Sequence, residues 1–174
     1  MTFDELNEKR GGNEKPEDWR QHPNGGGWIY KTAKIGNDAT VGNWATVGDD
    51  AKVGNWVKVG NRATVGDGAK VGNWATVGDG AKVGNRATVG NGATVGNWAT
   101  VGDGAIFKKS PLYIIGTRHC LSNCKPGYIQ IGCQCHTIKW WLAHVEECGK
   151  ENGYTDDECT EYRAYVELFA KLGK

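Results

Sequence analysis

The chain is 174 residues long, enough for one domain and a small appendage. Its 21 basic and 20 acidic side chains leave a formal charge of +1, which excludes a broad footprint for long nucleic acid or for a membrane surface. No stretch approaches a transmembrane helix and Met1–Leu6 does not read as a signal peptide, so a cytoplasmic chain is expected, its six cysteines remaining thiols.

Residues 1–28 are polar. Gly11-Gly12 and Gly25-Gly26-Gly27 bracket Pro16-Glu-Asp-Trp19, which suggests a short helix inside a solvated tail. Arg20 and His22 of this tail are within reach of a neighbouring subunit if the chain associates. Ile29-Tyr-Lys-Thr-Ala-Lys34 then opens a repeat. From Ile35 to Ile106 the chain divides into twelve hexapeptides, nearly all of the form V-G-[N/D]-x-A-[T/K], such as Val41-Gly-Asn-Trp-Ala-Thr46. Ala and Val alternate with a polar residue, as in a short strand with its apolar side inward. The Gly-[Asn/Asp]-x segment turns the chain, with the positive φ assigned to Gly and Asn. Three strands and three turns close a triangular coil of eighteen residues, so residues 29–106 form about four coils.

The pattern resembles the hexapeptide-repeat family, whose units open on an aliphatic residue, often followed by Gly, with a small residue four places on. The resemblance implies a mainly β protein, a left-handed parallel β-helix, assembled as a homotrimer. It also implies candidate activities, since many members are acyltransferases using acyl-CoA or similar donors and some are metal-dependent carbonic anhydrases. Those chemistries use histidines in or beside the β-helix, and residues 29–106 contain neither His nor Cys. The Asp residues there sit at turn positions. On that ground the chain is expected not to be an enzyme and no cofactor is assigned.

Residues eighteen apart stack on neighbouring coils, roughly 4.8 Å apart. One corner column reads Asp38, Trp56, Trp74, Gly92; the second Trp44, Arg62, Gly80, Trp98; the third Asp50, Gly68, Arg86, Gly104. Trp56 and Trp74 can stack, Trp44 can lie against Arg62, and Gly80 and Gly92 leave dents beside Trp98 and Trp74. Corner tryptophans and arginines serve a trimer interface, a site for a planar anionic ligand such as a nucleotide, or both together at an intersubunit seam. Trp44, Trp56, Trp74, Trp98, Arg62 and Arg86 are therefore the candidate ligand-binding residues.

Residues 107–174 change character. Leu112-Tyr-Ile-Ile-Gly116 and Tyr128-Ile-Gln-Ile-Gly132 read as two strands joined through Ser122-Asn-Cys-Lys-Pro-Gly127. A helix over about 137–149 follows, and Thr155-Asp-Asp-Glu158 is a capping box opening a last helix. This is a small ββαα module. Its run Ile131-Gly-Cys-x-x-His136-Thr-Ile-x-x-Trp141-Leu resembles small bacteriophage-encoded proteins, which implies a candidate role in sequestering nucleotide-derived immune signals of the host. His119, Cys120, Cys124, Cys133, Cys135 and His136 form a candidate zinc cluster of unorthodox spacing. A disulfide such as Cys120–Cys124, idle thiols, or a Cys133 or Cys135 nucleophile with a His partner are the other readings. The expectation is thus a trimeric, non-catalytic binder of a small anionic ligand. An acyltransferase-like enzyme dependent on His22, His119, His136 or His144, or a structural scaffold, are the alternatives.

Overall fold

The computed structural model describes residues 1–172, in two compact units, 1–110 and 111 onward. In the first, the Thr/Lys–Val pairs of the repeat form two-residue strands. β3 (Lys34–Ile35), β6 (Lys52–Val53), β9 (Lys70–Val71), β12 (Thr88–Val89) and β15 (Ile106–Phe107) make one parallel sheet. β4 (Thr40–Val41), β7 (Lys58–Val59), β10 (Thr76–Val77) and β13 (Thr94–Val95) make the second. The third contains β5 (Thr46–Val47), β8 (Thr64–Val65), β11 (Lys82–Val83) and β14 (Thr100–Val101). Partners are eighteen residues apart throughout, as in Lys52↔Lys70 and Val59↔Val77. The result is a parallel β-solenoid of about four coils. The interior is Ala and Val, with Val41, Val47, Val65, Ala45 and Ala63 at 0% exposure. Each buried Val contributes about 1.5–3 kcal/mol.

The turns differ from the expectation. Positive φ falls not on the Gly or Asn but on the residue after them: Asp38, Trp44, Asp50, Trp56, Arg62, Trp74, Arg86 and Trp98 lie between 50° and 63°. Glycine takes that place at 68, 80, 92 and 104. The repeat's Gly answers a different need, close approach of coils. A Cβ on Gly72 would stand 2.6 Å from Asn91 N and 2.7 Å from Gly90 C. The Asn/Asp position forms a side-chain ladder. Asn37 N–H donates to Asn55 Oδ1, Asn55 N–H to Asn73 Oδ1 and Asn73 N–H to Asn91 Oδ1, each at 2.9 Å. Backbone donors exposed by the turn are thereby satisfied one coil onward.

Residues 1–28 are not a solvated tail. α1 (Phe3–Lys9) opens with a capping box between Thr2 and Glu5 and buries Leu6 completely. β1 (Trp19–Gln21) pairs antiparallel with β2 (Trp28–Tyr30), which continues the third sheet onto β5. Trp19 is buried under Arg10, whose guanidinium lies 4.9 Å from its ring centroid and 3.2 Å from Asp67. Lys9 Nζ donates to Trp44 O, and Thr46 on β5 is 1% exposed. The polar composition concealed this packing because few apolar anchors suffice when ion pairs hold the rest.

The second unit is a four-stranded antiparallel meander, β16 (Tyr113–Ile115), β17 (Cys120–Lys125), β18 (Tyr128–Ile131) and β19 (Gln134–Thr137), followed by α2 (Ile138–Glu151) and α3 (Asp156–Leu172). The expected ββαα module is thus corrected to ββββαα. The segment read as a connection is a strand. Its polar Ser122 and Asn123 are 2% exposed, and Asn123 earns burial by accepting from Leu112 N and donating to Tyr128 O. Leu121, Ile129, Ile131, Trp141, Val145, Tyr162, Val166 and Phe169 make the core. Thr155 and Glu158 form the expected capping box. Among the described residues no helix is long and apolar enough to cross a membrane.

Candidate functional site

On the solenoid the structure separates the six corner residues. Trp56 and Trp74 stack at 5.2 Å between centroids and 5° between planes. Arg62 does not sit over Trp44 in any cation–π contact among the described residues. The cation–π contacts present there are Arg10–Trp19, Arg118–Tyr154 and Lys125–Tyr128. The dent expected at Gly80 is filled, since the Trp98 ring lies where a Gly80 Cβ would be. The space at Gly92 is open, with nothing within 4 Å of a Cβ. Arg86 extends over Gly68 in a groove of about 690 Å³ lined by Asp49, Asp50, Asp67 and Asp103. Four carboxylates, only one of them paired with a second guanidinium (Asp67 with Arg10), make this corner unsuited to an anion.

The second unit holds a better-enclosed cavity, about 70 Å³, lined by His119, Gly132, Cys133, Trp141, Cys148 and Tyr154 among others. Several contacts fix His119. The buried Tyr162 hydroxyl donates to His119 O at 2.8 Å and accepts from Arg118 N at 3.0 Å. The imidazole lies parallel to Tyr154 and meets it edge to edge, with ring centroids 6.0 Å apart and Nδ1 2.6 Å from the Tyr154 hydroxyl. It also packs over Gly132, where a Cβ would meet Cδ2 at 2.9 Å. Gly132 has φ +56°, a conformation that favours glycine, and its lack of a side chain leaves room for the imidazole. Burial, then the neighbouring Tyr162, pushes the Tyr154 phenol up to about 12, so it remains protonated. Burial likewise raises the Cys148 thiol, which is no ready nucleophile. Sequence reasoning named His119 but not Tyr154 or Tyr162, 35 and 43 residues away, because no local spacing joins them.

The other histidines are differently employed. His136 and His144 stack on Trp140, at 3.7 and 4.5 Å between centroids. His22 Nδ1 is held by Asn24 in the turn before β2. The candidate zinc cluster is not assembled. Cys124 and Cys135 form a disulfide with each other, while Cys120, Cys133, Cys148 and Cys159 are free. Among the described residues no three His, Cys, Asp or Glu side chains could hold one metal. The disulfide corrects the expectation of six thiols. It joins β17 to β19 across β18, a pairing that a two-strand reading could not show.

Residues 32–67 and 62–97 match the family model described as Bacterial transferase hexapeptide (six repeats). The rod is a hexapeptide-repeat β-helix. No curated protein is a significant match. Among solved structures, the chain is similar to perosamine N-acetyltransferase from Caulobacter crescentus, solved with CoA and GDP-perosamine, at 20% identity and TM-score 0.32. That match covers 52% of this chain and 48% of that one, so the chain spans about half of that protein's length. A hexapeptide transferase family protein from Anaplasma phagocytophilum matches at 16% identity and TM-score 0.38, over 83% of this chain and 89% of that one. The expectation of a non-enzyme is overturned here. The repeats of this chain are matched by a model described as that of bacterial transferases. Absence of His from residues 29–106 was weak ground, because a base can be supplied from outside the repeats.

Proposed function

We propose that the chain is an acyltransferase-like enzyme, moving an acyl group from a thioester donor to an amine or hydroxyl acceptor. The observation that carries this reading is the match of residues 32–97 to the transferase repeat model. His119 is the base in this proposal, being the histidine that a second polar side chain orients at the rim of a cavity. In this proposal His119 carries its proton on Nδ1, which donates to the Tyr154 hydroxyl 2.6 Å away. That tautomer leaves Nε2 free to take the acceptor's proton as the new acyl bond forms and the thiolate leaves. The solenoid coils left-handed and associates as a homotrimer in the same proposal. Trp44 and Trp98, 38% and 61% exposed on one corner, support association, since such rings are enriched at interface centres.

The test is acyl transfer from acetyl-CoA or succinyl-CoA to a panel of amino sugars and amines, with free CoA and acylated product resolved by chromatography. Turnover that falls at least about 100-fold in His119→Ala, but not in His144→Ala, supports the reading. Donors left intact with every acceptor sink it. Sedimentation equilibrium at three times the chain mass is the companion measurement for the trimer.

A further inference from the structure

The three corners of the solenoid differ in what surrounds them. The corner of Asp38, Trp56, Trp74 and Gly92 joins the sheet of β3, β6, β9 and β12 to the sheet of β4, β7, β10 and β13. Residues 1–28 continue the third sheet through β2 onto β5, and Asn24 and Gly27 bond to Val41 at the N-terminal end of the second, while Trp56 and Trp74 of this corner remain 50% and 65% exposed.

Cations flank it. Lys34, Lys52 and Lys70 pair in register on adjacent parallel strands, and all three are exposed. Like charges directly opposite destabilise a ladder. Lys58, also exposed, stands on the other flank. Among the described residues none of these four forms an ion pair; the lysines that do are Lys31 and Lys150. The column of rings stops one step short of the coil's end. Trp74 is 65% exposed, the most of the four corner indoles, and one of its faces lies on Trp56. The next position is Gly92, where φ is +66° and space is open. One corner on, the same kind of space over Gly80 is filled by Trp98. Coils roughly 4.8 Å apart make the empty step about one ring thick.

We propose that this shelf binds a single nucleotide, its base stacked on the open face of Trp74 above Gly92 and its phosphates directed to Lys70, with Lys52 one coil further along the same sheet. Aromatic faces hold bases of any sequence, and lysines hold phosphate as point charges. One open face admits one base, which separates a mononucleotide from a strand, whose successive bases need successive faces. The acidic groove around Arg86 offers neither property. The site stands whether or not the chain transfers acyl groups.

Equilibrium dialysis of the full chain against ADP at low salt tests it. The expected result is one ADP per chain, with adenosine and pyrophosphate each bound at least tenfold more weakly. Gly92→Trp, which closes the shelf, and Trp74→Gly, which removes it, should each weaken ADP at least tenfold. Gly104→Trp, at another corner, should not. All three variants are expected to keep the fold, because both Trp and Gly already occupy this turn position with φ near +60°. No retained ADP, or equal retention by wild type, Gly92→Trp and Trp74→Gly, overturns the site. So does an oligonucleotide that spans several bases and binds independently of both substitutions.

Discussion

The two units solve the problem of fixing a backbone in opposite ways. The solenoid fixes each residue by its coil neighbour eighteen positions away, so one rule serves every coil and each side chain has a single reason. Gly72 is small because Asn91 and Gly90 lie beneath it, and position 73 carries a side-chain oxygen because it accepts from Asn55 N–H, as Asp67 does from Asp49 N–H. In the second unit each residue is fixed by a partner at an unrelated distance. Tyr162 holds the His119 backbone from 43 residues away, and Cys135 closes on Cys124. A repeat therefore fails locally and propagates, whereas an aperiodic unit fails at particular ties.

That contrast breaks first at the repeat's glycine. Gly72→Ala should lower stability by about 3 kcal/mol or more, since the obstacle is backbone rather than a movable side chain. Thermal melting followed by circular dichroism should show a loss of about 10 °C. A melting temperature within about 2 °C of wild type would mean that the coils slide to admit a methyl.

The next effect belongs to the second unit. Cys135→Ser opens a loop whose ends are separated by 11 residues in sequence, at a cost of about 3 kcal/mol. Amide exchange should rise across β17–β19 and leave the solenoid protected. Equal loss of protection in both units would show that they do not unfold separately.

What could be read in advance follows the same division. The coil length, the strands and the inward Ala and Val were legible because periodicity states them repeatedly. The turn was misread, since propensity assigns positive φ to Asn and Gly, while the coil's hydrogen bonds require it one residue later. Trp56 N–H donates to Asn37 O at 2.9 Å, a contact that holds the indole-bearing residue in that region. In the second unit, β17 was hidden by its polar Ser122 and Asn123, whose burial depends on partners in other strands. His119 was visible as a residue but not as a site, because Tyr154 and Tyr162 arrive on later elements.

A smaller effect lies at the start of α3. A hydrogen bond from Arg118, followed by those from Thr155, holds the Glu158 carboxyl below its ordinary value, and Thr117 does the same for Glu161. Both folded values are depressed. Their contribution is therefore present above the unfolded value of about 4.3 and is lost as pH falls through the folded values. Exchange of the Thr117 and Arg118 amides should accelerate only as pH drops below about 4 relative to the intrinsic rate, and in Glu158→Gln the acid sensitivity should shrink. Flat protection down to pH about 2 would show that backbone contacts alone hold this edge.

The smallest effect asks why the solenoid places Trp and Arg where Gly is comfortable. A left-handed conformation costs an L residue roughly 1–2 kcal/mol, and replacing it by Gly returns roughly 0.5–1 kcal/mol of that to the entropy of the unfolded chain. Asp50→Gly, at φ +50° and exposed, should thus be neutral or slightly stabilising. Trp98→Gly differs, because the indole covers Gly80 and its removal uncovers the coil. If ring packing justifies the indole, Trp98→Gly lowers the melting temperature while Asp50→Gly does not. If both hold or raise it, the corner indoles contribute nothing to the fold that glycine does not. Their retention would then reflect what they touch outside the chain, as proteins depart from local backbone preference chiefly where function requires it.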